Sequence, residues 1–595
     1  EASRERDRSY LAVLHAEELG RIVQLADEEL PSVSLARKND SAWALGSSGL
    51  AWRKEGSWDT NLPKEVWLVN AANGDRRKLF EASRGSHSLS PDGRYLSWWD
   101  AEQRAWFAMA VPDGEVKQIS AGLPHRLDNE LHDTPQLPRS YGSAGWLKED
   151  AGFLVYDRHD LWLLDPDGAE APVCVTDGVG RREGLRFRFV NIDPEASGSG
   201  GFFGGRYFGG GGGREGIDPE QPLLLSAFHL TDKSAGFWWD RFGGGEPTSV
   251  FMDAKSFGSP RPSKEGGLLS FTRQDFAEGP DVWITDRDFS FYDQISDGYG
   301  AQDGFLWGSA ELVSWNSNDG VPLQGILVKP EGFDPAQQYP MVVYFYERSS
   351  DGLHRYRTPA PGGSSVAFSY YASNGYLVFV PDIPYRTGYP GQSAEHAILP
   401  GIAKLVDTGF VDPARIGVQG HSWGGYQIAH LVTRTTVFAA AISGAPVSNM
   451  TSAYGGIRWS SGRSRMFQYE RTQSRLGGSL WEVPDRFIEN SPIFYAEEIQ
   501  TPVLILHNDK DGAVPWYQGI EFFVALRRLE KPGWMLNYNG EDHGLRKFQN
   551  KRDYAIRMKQ FFDHYLQGAP PPVWMAEGVP AVEKGRTLGL DLVEG

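Results

Sequence analysis

From about residue 310 onward, short apolar runs alternate with amphipathic stretches, and this rhythm limits the possible folds more than any other feature of the chain. The runs lie at 341–346, 376–380, 416–419, 438–443, 503–506 and 534–538. They are apolar at nearly every position, so both faces of each strand must be covered. That is the signature of a mostly parallel, doubly wound sheet with helices on either side. Helical patterns fall between the runs at 423–434, 516–529 and 553–566. In the last of these, Ala555, Met558, Phe562 and Tyr565 recur at helical spacing and define one apolar face. A hairpin is expected just before, from 312–315 through Asn318-Asp319-Gly320 to 325–329.

Up to about residue 305 the rhythm differs. Trp-centred runs recur around Trp67, Trp162 and Trp283, each followed by Asn or Asp and a turn, with a weaker copy at Trp106. Trp67 and Trp106 are 39 residues apart, and Trp106 and Trp162 are 56 apart. Blades of a β-propeller run roughly 40–50 residues, so this part would hold about six or seven of them. A pair of β-sandwiches is the alternative. The 20 Trp and 70 Gly of the chain suit either, as buried aromatics and tight turns of a β-rich domain. Residues 198–213 are mostly glycine and read as a loop. With 595 residues the chain is too long for one core. The expected division is an all-β propeller over 1–305, a catalytic domain over 306–570 and a tail over 571–595.

Composition removes several functions. Hydrophobic residues at 40% and charged residues at 23% describe a folded chain. A net charge of -18 speaks against nucleic acid as a partner. No apolar run approaches the roughly 20 residues of a membrane span. The single cysteine, Cys174, allows neither an intrachain disulfide nor a cysteine-built zinc site, and leaves the compartment open. Periplasm or secretion is favoured slightly over cytoplasm. The chain opens on Glu1 rather than Met, which leads to the expectation of processing, trimming or missing upstream sequence.

The sharpest local signal is Gly420-His421-Ser422-Trp423-Gly424-Gly425-Tyr426, preceded by an apolar run and followed by a helical pattern. Gly-x-Ser-x-Gly in that setting is the nucleophile elbow of an α/β-hydrolase. Gly420 and Gly424 allow the close backbone approach that lifts the Ser422 hydroxyl above the sheet. A serine needs a base, and the base needs an orienting carboxylate, in the order Ser, Asp or Glu, His. After the run at 503–506, Asp509 and Asp511 compete for the acid. After the run at 534–538, His543 stands where the base belongs. His421, inside the elbow, reads as a packing residue, His507 as support for the acid loop, and His564 as a surface or core residue of the last helix.

These motifs resemble the catalytic domain of the prolyl oligopeptidase family, which includes dipeptidyl peptidases and acylaminoacyl peptidases. The resemblance rests on the elbow, on Asp511-Gly512-Ala513-Val514-Pro515 and on His543-Gly544, and covers about residues 310–568. It implies a preceding propeller set over the active-site face, which would act as a size filter. It selects Asp511 over Asp509 as the acid through its spacing to Val514-Pro515. It also implies an oxyanion site made of the Tyr346 hydroxyl and the Trp423 amide, and a substrate pocket lined by Trp423, Val447, Met450, Tyr454 and Val514. The segment 449–454 reproduces poorly the aromatic cluster of proline-specific members. Asp27-Glu28-Glu29 lacks the surroundings of the Glu pair that anchors the substrate amine in exopeptidase members, and reads as a solvated cluster.

The expected function is a serine peptidase cleaving short peptides through an acyl-enzyme, without metal or organic cofactor, with self-association into a homo-oligomer left open. An esterase or acylaminoacyl hydrolase using the same triad is the alternative within enzymes. A non-catalytic interaction module built on the propeller is the alternative outside them, and the complete triad argues against it.

Overall fold

The computed structural model describes residues 5–15, 20–38, 40–194, 215–298 and 300–593. The glycine-rich stretch 198–213 therefore lies outside the described residues. The chain divides into two compact units. One comprises Glu1–His132, Gln136–Asp275 and Pro280–Gly298, the other Asp133–Pro135, Phe276–Gly279 and Tyr299–Gly595.

In the first unit the described strands form four four-stranded sheets, one five-stranded sheet and a two-stranded ribbon, all with antiparallel ladders. Five sheets of blade size stand where the residue count suggests six or seven. The Trp-centred runs take the same place in each sheet, the third strand along it: Lys64–Asn70, Ala105–Ala110, Leu161–Leu164 and Asp281–Asp286. The remaining sheet follows the rule with Ala235–Asp240, which carries Trp238 and Trp239. A third strand has neighbours on both sides, so a wide aromatic ring there packs across the sheet and against the next one. Trp106, for example, meets Phe153 of the following sheet edge to face, with ring centres 5.1 Å apart.

The second unit is built on one eight-stranded sheet. Its strands are β1 Ser309–Asn316, β2 Pro322–Lys329, β3 Tyr339–Tyr344, β4 Leu377–Pro381, β5 Val411–His421, β6 Ala440–Gly444, β7 Val503–Leu506 and β8 Gly533–Leu536, in the order β1-β2-β4-β3-β5-β6-β7-β8. The β1–β2 and β2–β4 pairs are antiparallel, and every later pair is parallel. This is the α/β-hydrolase arrangement that the alternation after residue 310 predicts.

The two faces are sorted by residue parity. Met341, Val343, Leu377, Phe379, Val503 and Ile505 point into a core shared with helices α1 Pro390–Val406, α2 Trp423–Leu431 and α3 Tyr517–Arg528. Val342, Val378, Val380, Ile442, Leu504 and Leu506 point into the opposite core, closed by helix α4 Phe548–Gln567. The sequence pattern misses α1, because Pro400 and Gly401 interrupt it; a Cβ at Gly401 would lie 2.9 Å from Trp315, so the glycine lets the helix lie flat on the sheet. The apolar face of α4 is also turned slightly from the expected one. Tyr554, Met558, Phe561, Phe562 and Leu566 are its buried apolar residues, and Ala555 sits at the edge. No described helix is long and apolar enough to cross a membrane.

Phe562 fixes the seat of α4. It is fully buried, and a Cβ at Gly417 of β5 would come 2.7 Å from its ring, so the glycine is the socket for the phenyl group. Phe562→Ala should cost ~3–5 kcal/mol, as large-to-small changes in closed cores do. Denaturant titration beside the parent is the check; a loss below about 1 kcal/mol would mean the socket collapses freely.

Candidate active site

The elbow is the turn between β5 and α2. Ser422 takes φ 61°, ψ -113°, a region an L-residue enters only under constraint. The constraint comes from both sides. Ser422 N–H donates to Gly444 O at 2.8 Å, and Tyr426 N–H donates to Ser422 O at 2.9 Å. Crowding explains the glycines. A Cβ at Gly420 would be 2.9 Å from the Gly424 carbonyl carbon, one at Gly424 would be 2.6 Å from Phe345 O, and one at Gly425 would be 2.1 Å from Gly444 O. Trp423 begins α2, where a first-turn N–H has no intrahelical acceptor. Its ring is buried, stacked on Tyr426 at 4.7 Å, and its Nε1 donates to the Tyr385 hydroxyl at 3.0 Å.

Asp511 follows β7 in a buried loop. Its Oδ1 accepts the N–H groups of Ala513 and Val514, both at 2.8 Å. Its Oδ2 meets His543 Nδ1 at 2.8 Å and His507 Nε2 at 3.3 Å. Burial alone would raise the pKa of this carboxyl, but the contacts from His507 and His543 outweigh it and hold Asp511 well below the usual carboxylate range. His507 is fully buried, and its Nε2 also reaches Val514 O at 3.2 Å, so it braces the acid loop as the sequence suggests. Asp509 is placed differently. It accepts from the Gly540 N–H at 2.7 Å and from Asn539 Nδ2 at 3.0 Å, and so steadies the loop that carries His543 without touching the imidazole.

The structure brings Asp511 and His543 into contact, and sets Ser422 beside them through its neighbour His421, whose ring centre is 4.7 Å from that of His543. No hydrogen bond joins Ser422 Oγ to His543 among the described residues; such contacts commonly tighten only when substrate arrives. His421 has both ring nitrogens shielded from solvent, and burial, followed by the neighbouring His543, pushes its pKa down to about 3.

Tyr346 lies two residues beyond the end of β3 rather than inside the strand, because the chain turns away at Tyr344 to pass over the elbow. Its ring comes 3.9 Å from where a Gly424 Cβ would stand. Its backbone carbonyl accepts from Tyr385 Oη at 3.1 Å and Gln427 Nε2 at 2.8 Å. Its hydroxyl accepts from Gln473 Nε2 at 3.0 Å, which leaves the phenolic proton free to point elsewhere. Arg475, 3% exposed on its side chain, donates to Gln473 O at 2.7 Å, pairs with Asp133 at 2.9 Å and Glu347 at 3.3 Å and lies 3.9 Å over the Tyr385 ring.

Of the pocket residues, Val447, Met450, Tyr454 and Val514 are buried in one cluster with Trp423. Tyr454 gives its hydroxyl to Glu470 at 2.6 Å and packs on Phe487. In the other unit, Asp27 accepts the N–H groups of Glu29 and Leu30 and pairs with Arg76 at 2.8 Å, as a self-satisfied turn does. His564 is half-buried and its Nδ1 meets Ala569 O at 2.8 Å.

Two contributors are absent from the sequence reading. Asp542 Oδ1 accepts the N–H of Gly512 at 2.9 Å and of His543 at 2.7 Å, tying the acid loop to the base loop. Its signal is an Asp directly before the candidate base. Gln473 has no local signal; it reaches Tyr346 across 127 positions of sequence.

Residues 364–569 match the model of the prolyl oligopeptidase family. Among curated proteins, the uncharacterized peptidase YuxL of Bacillus subtilis is 25% identical over 266 residues, which are 43% of this chain and 39% of that protein. A probable chloroplastic glutamyl endopeptidase of Arabidopsis thaliana is 28% identical over 240 residues, 36% of this chain and 23% of that protein. Human dipeptidyl peptidase 8 is 26% identical over 275 residues, covering 43% and 28%. The matches thus span well under half the length of these relatives. Two solved structures share the fold: Porphyromonas gingivalis dipeptidyl peptidase 4 (TM-score 0.63, 15% identity, 92% of this chain and 79% of that one) and a Mycobacterium tuberculosis puromycin-hydrolyzing peptidase (TM-score 0.61, 17% identity, 94% and 86%).

Two tests follow from this geometry. Asp511→Asn should lower turnover by about 10⁴, the cost of losing the correct imidazole tautomer. Asp509→Asn should do far less, since its contacts are to the loop; side-by-side kinetics with the opposite ranking would move the acid to Asp509. The second test concerns pH. Burial pushes His421 and His430 down to about 3, below the ~6.5 of an unfolded histidine. Between those values the unfolded chain binds protons that the folded chain does not, so stability is full above ~6.5 and falls as the pH drops. His430→Leu should flatten the slope of Tm between pH 7 and 4, and an unchanged slope would show that His430 is not held neutral.

Proposed function

Since residues 364–569 belong to the prolyl oligopeptidase family, we propose that this chain is a serine peptidase acting on short peptides through an acyl-enzyme. Ser422 Oγ attacks the scissile carbonyl, His543 takes its proton and returns it to the leaving amine, and Asp511 holds the imidazole. The observation that carries the reading is the 2.8 Å contact of His543 Nδ1 with a carboxylate buried behind it, beside a serine in strained elbow geometry. The oxyanion is received by the Tyr346 hydroxyl and the Trp423 N–H. Gln473, by donating to the Tyr346 oxygen, turns the phenolic proton toward the substrate. Losing one such donor typically costs ~10²–10³ in turnover. Val447, Met450, Tyr454 and Val514, with the Trp423 side chain, form the apolar wall behind the side chain of the cleaved residue. The five antiparallel sheets of the first unit are read as blades of a propeller, a reading supported by the repeated aromatic third strand.

Ser422→Ala should leave the fold intact and residual turnover below ~1 part in 10³. A fluorophosphonate probe should label the parent protein at Ser422 and spare the variant. Incubation with a native protein and, at equal mass, its tryptic peptides should show the peptides cut and the native protein spared. Rapid cleavage of the native protein would remove the restriction to short substrates.

A further inference from the structure

Next to Tyr346 lies a pair of arginines that the triad does not use. The short hairpin Ile457–Arg458/Arg463–Ser464 rests on the acid loop, where Ser460 donates to Gly512 O from its backbone at 3.2 Å and from its hydroxyl at 3.0 Å. Arg465, just past the hairpin, is fully buried and donates to Ala513 O and, at 3.3 Å, to the Tyr469 hydroxyl. Arg458 is half-buried and donates to Gln468 Oε1 at 3.3 Å. Gln468 Nε2 donates to Gln473 Oε1 at 3.2 Å, and Gln473 in turn donates to the Tyr346 hydroxyl. Two glutamine side chains therefore separate Arg458 from the oxyanion tyrosine.

Neither guanidinium has a carboxylate within ion-pair distance among the described residues, and the Nε of each is shielded from solvent without a hydrogen-bond partner. The acid whose charge Arg458 feels is Asp511, and its two oxygens already take four contacts. Two desolvated cations without a counter-charge are costly in a resting protein. Burial, then the proximity of Arg465, lowers the pKa of Arg458, in keeping with an excess of positive charge here. The hairpin turns the side chains of Ile457 and Trp459, 37% and 71% exposed, outward on either side of Arg458.

We propose that Arg458, backed by Arg465, receives a carboxylate of the substrate close to the scissile bond. The proposal rests on the peptidase reading above and adds a charge preference to it. The guanidinium offers a planar pair of donors suited to a carboxylate. The carboxylate is either the side chain of an acidic residue at the cleaved position or the carboxyl terminus of a very short peptide.

The test uses the full chain and three peptides: Ala-Xaa-Ala-Ala amide with Xaa as Glu or Gln, and the Gln peptide with a free carboxyl terminus. Cleavage is located and timed by mass spectrometry, and the rates are compared as ratios within each enzyme, so that the folded fraction cancels. The parent should cut after Glu at least about tenfold faster than after Gln, or the free-acid Gln peptide faster than its amide by a similar factor, the first result assigning a side-chain carboxylate and the second a terminal one. In Arg458→Gln that ratio should fall to near one. Arg458→Glu should go further and, given a fourth peptide with Lys at Xaa, favour that one. Equal rates on all three peptides, or a preference kept in Arg458→Gln, would overturn the proposal while leaving the peptidase reading intact. Failure of Ser422 to react with a fluorophosphonate would sink both.

Discussion

The arrangement around Ser422 hangs on one buried negative charge. Asp511 is 3% exposed, and a carboxylate in such a place is tolerable only when its oxygens are met by donors. Two of the contacts are backbone amides of its own loop, which fold that loop into a tight turn. The other two are histidines arriving from different elements, the end of β7 and the loop after β8. Satisfying one charge thus fixes the shape of the Asp511 loop, the position of His543 and the packing of the buried His507 together. Asp542 closes the ring from the other side by accepting one amide from each loop. The hairpin that bears Arg458 inherits its place, since it rests on the next residue of the same loop, Gly512.

How far this was legible in the sequence depends on the range over which each interaction acts. The strand at Val503–Leu506 stands where its apolar run lies, because a run so short, bounded by Pro502 and by His507-Asn508, is too brief for a buried helix. The elbow was legible for a similar reason: three glycines in six positions encode backbone crowding directly, and the 2.1–2.9 Å clearances at Gly420, Gly424 and Gly425 are that code in space. Helix α1 was not legible, since Pro400 and Gly401 look like breakers until Trp315 and Phe379 are seen against them. The same holds for the face of α4. Periodicity alone groups Ala555 and Tyr565 with Met558 and Phe562, whereas packing, with Phe562 in the socket at Gly417, buries Tyr554, Phe561 and Leu566 beside the latter pair. Spacing between tryptophans found the repeat in the first unit, where the described strands form five sheets of blade size. Gln473 and Asp542 act through tertiary contact and leave no periodic trace.

The electrostatics of the molecule are uneven in a way its totals conceal. A net charge of -18 describes a surface that repels anions at long range. Beside the elbow the balance reverses, with Arg458 and Arg465 lacking any ion-pair partner among the described residues. A field of that kind acts over a few ångströms, within the screening length of ordinary salt, and therefore sorts bound groups rather than steering distant ones. Charge recognition here would show itself in residence and alignment more than in the speed of encounter.

The second unit is not a continuous stretch of chain. Residues 133–135 and 276–279 belong to it, although long segments of the first unit lie on either side of each. Asp133 supplies one of the two carboxylates that neutralise Arg475, a guanidinium 3% exposed on its side chain that also donates to the carbonyl of Gln473, the partner of the Tyr346 hydroxyl. Truncation at residue 299 is therefore no clean cut. It would remove half the counter-charge of a buried cation and loosen the support of Tyr346, although Ser422, Asp511 and His543 would all still be present. Genetic dissection, limited proteolysis or the grafting of this half onto another protein would all meet the same obstacle: this unit is complete only with short segments that lie inside its neighbour's sequence.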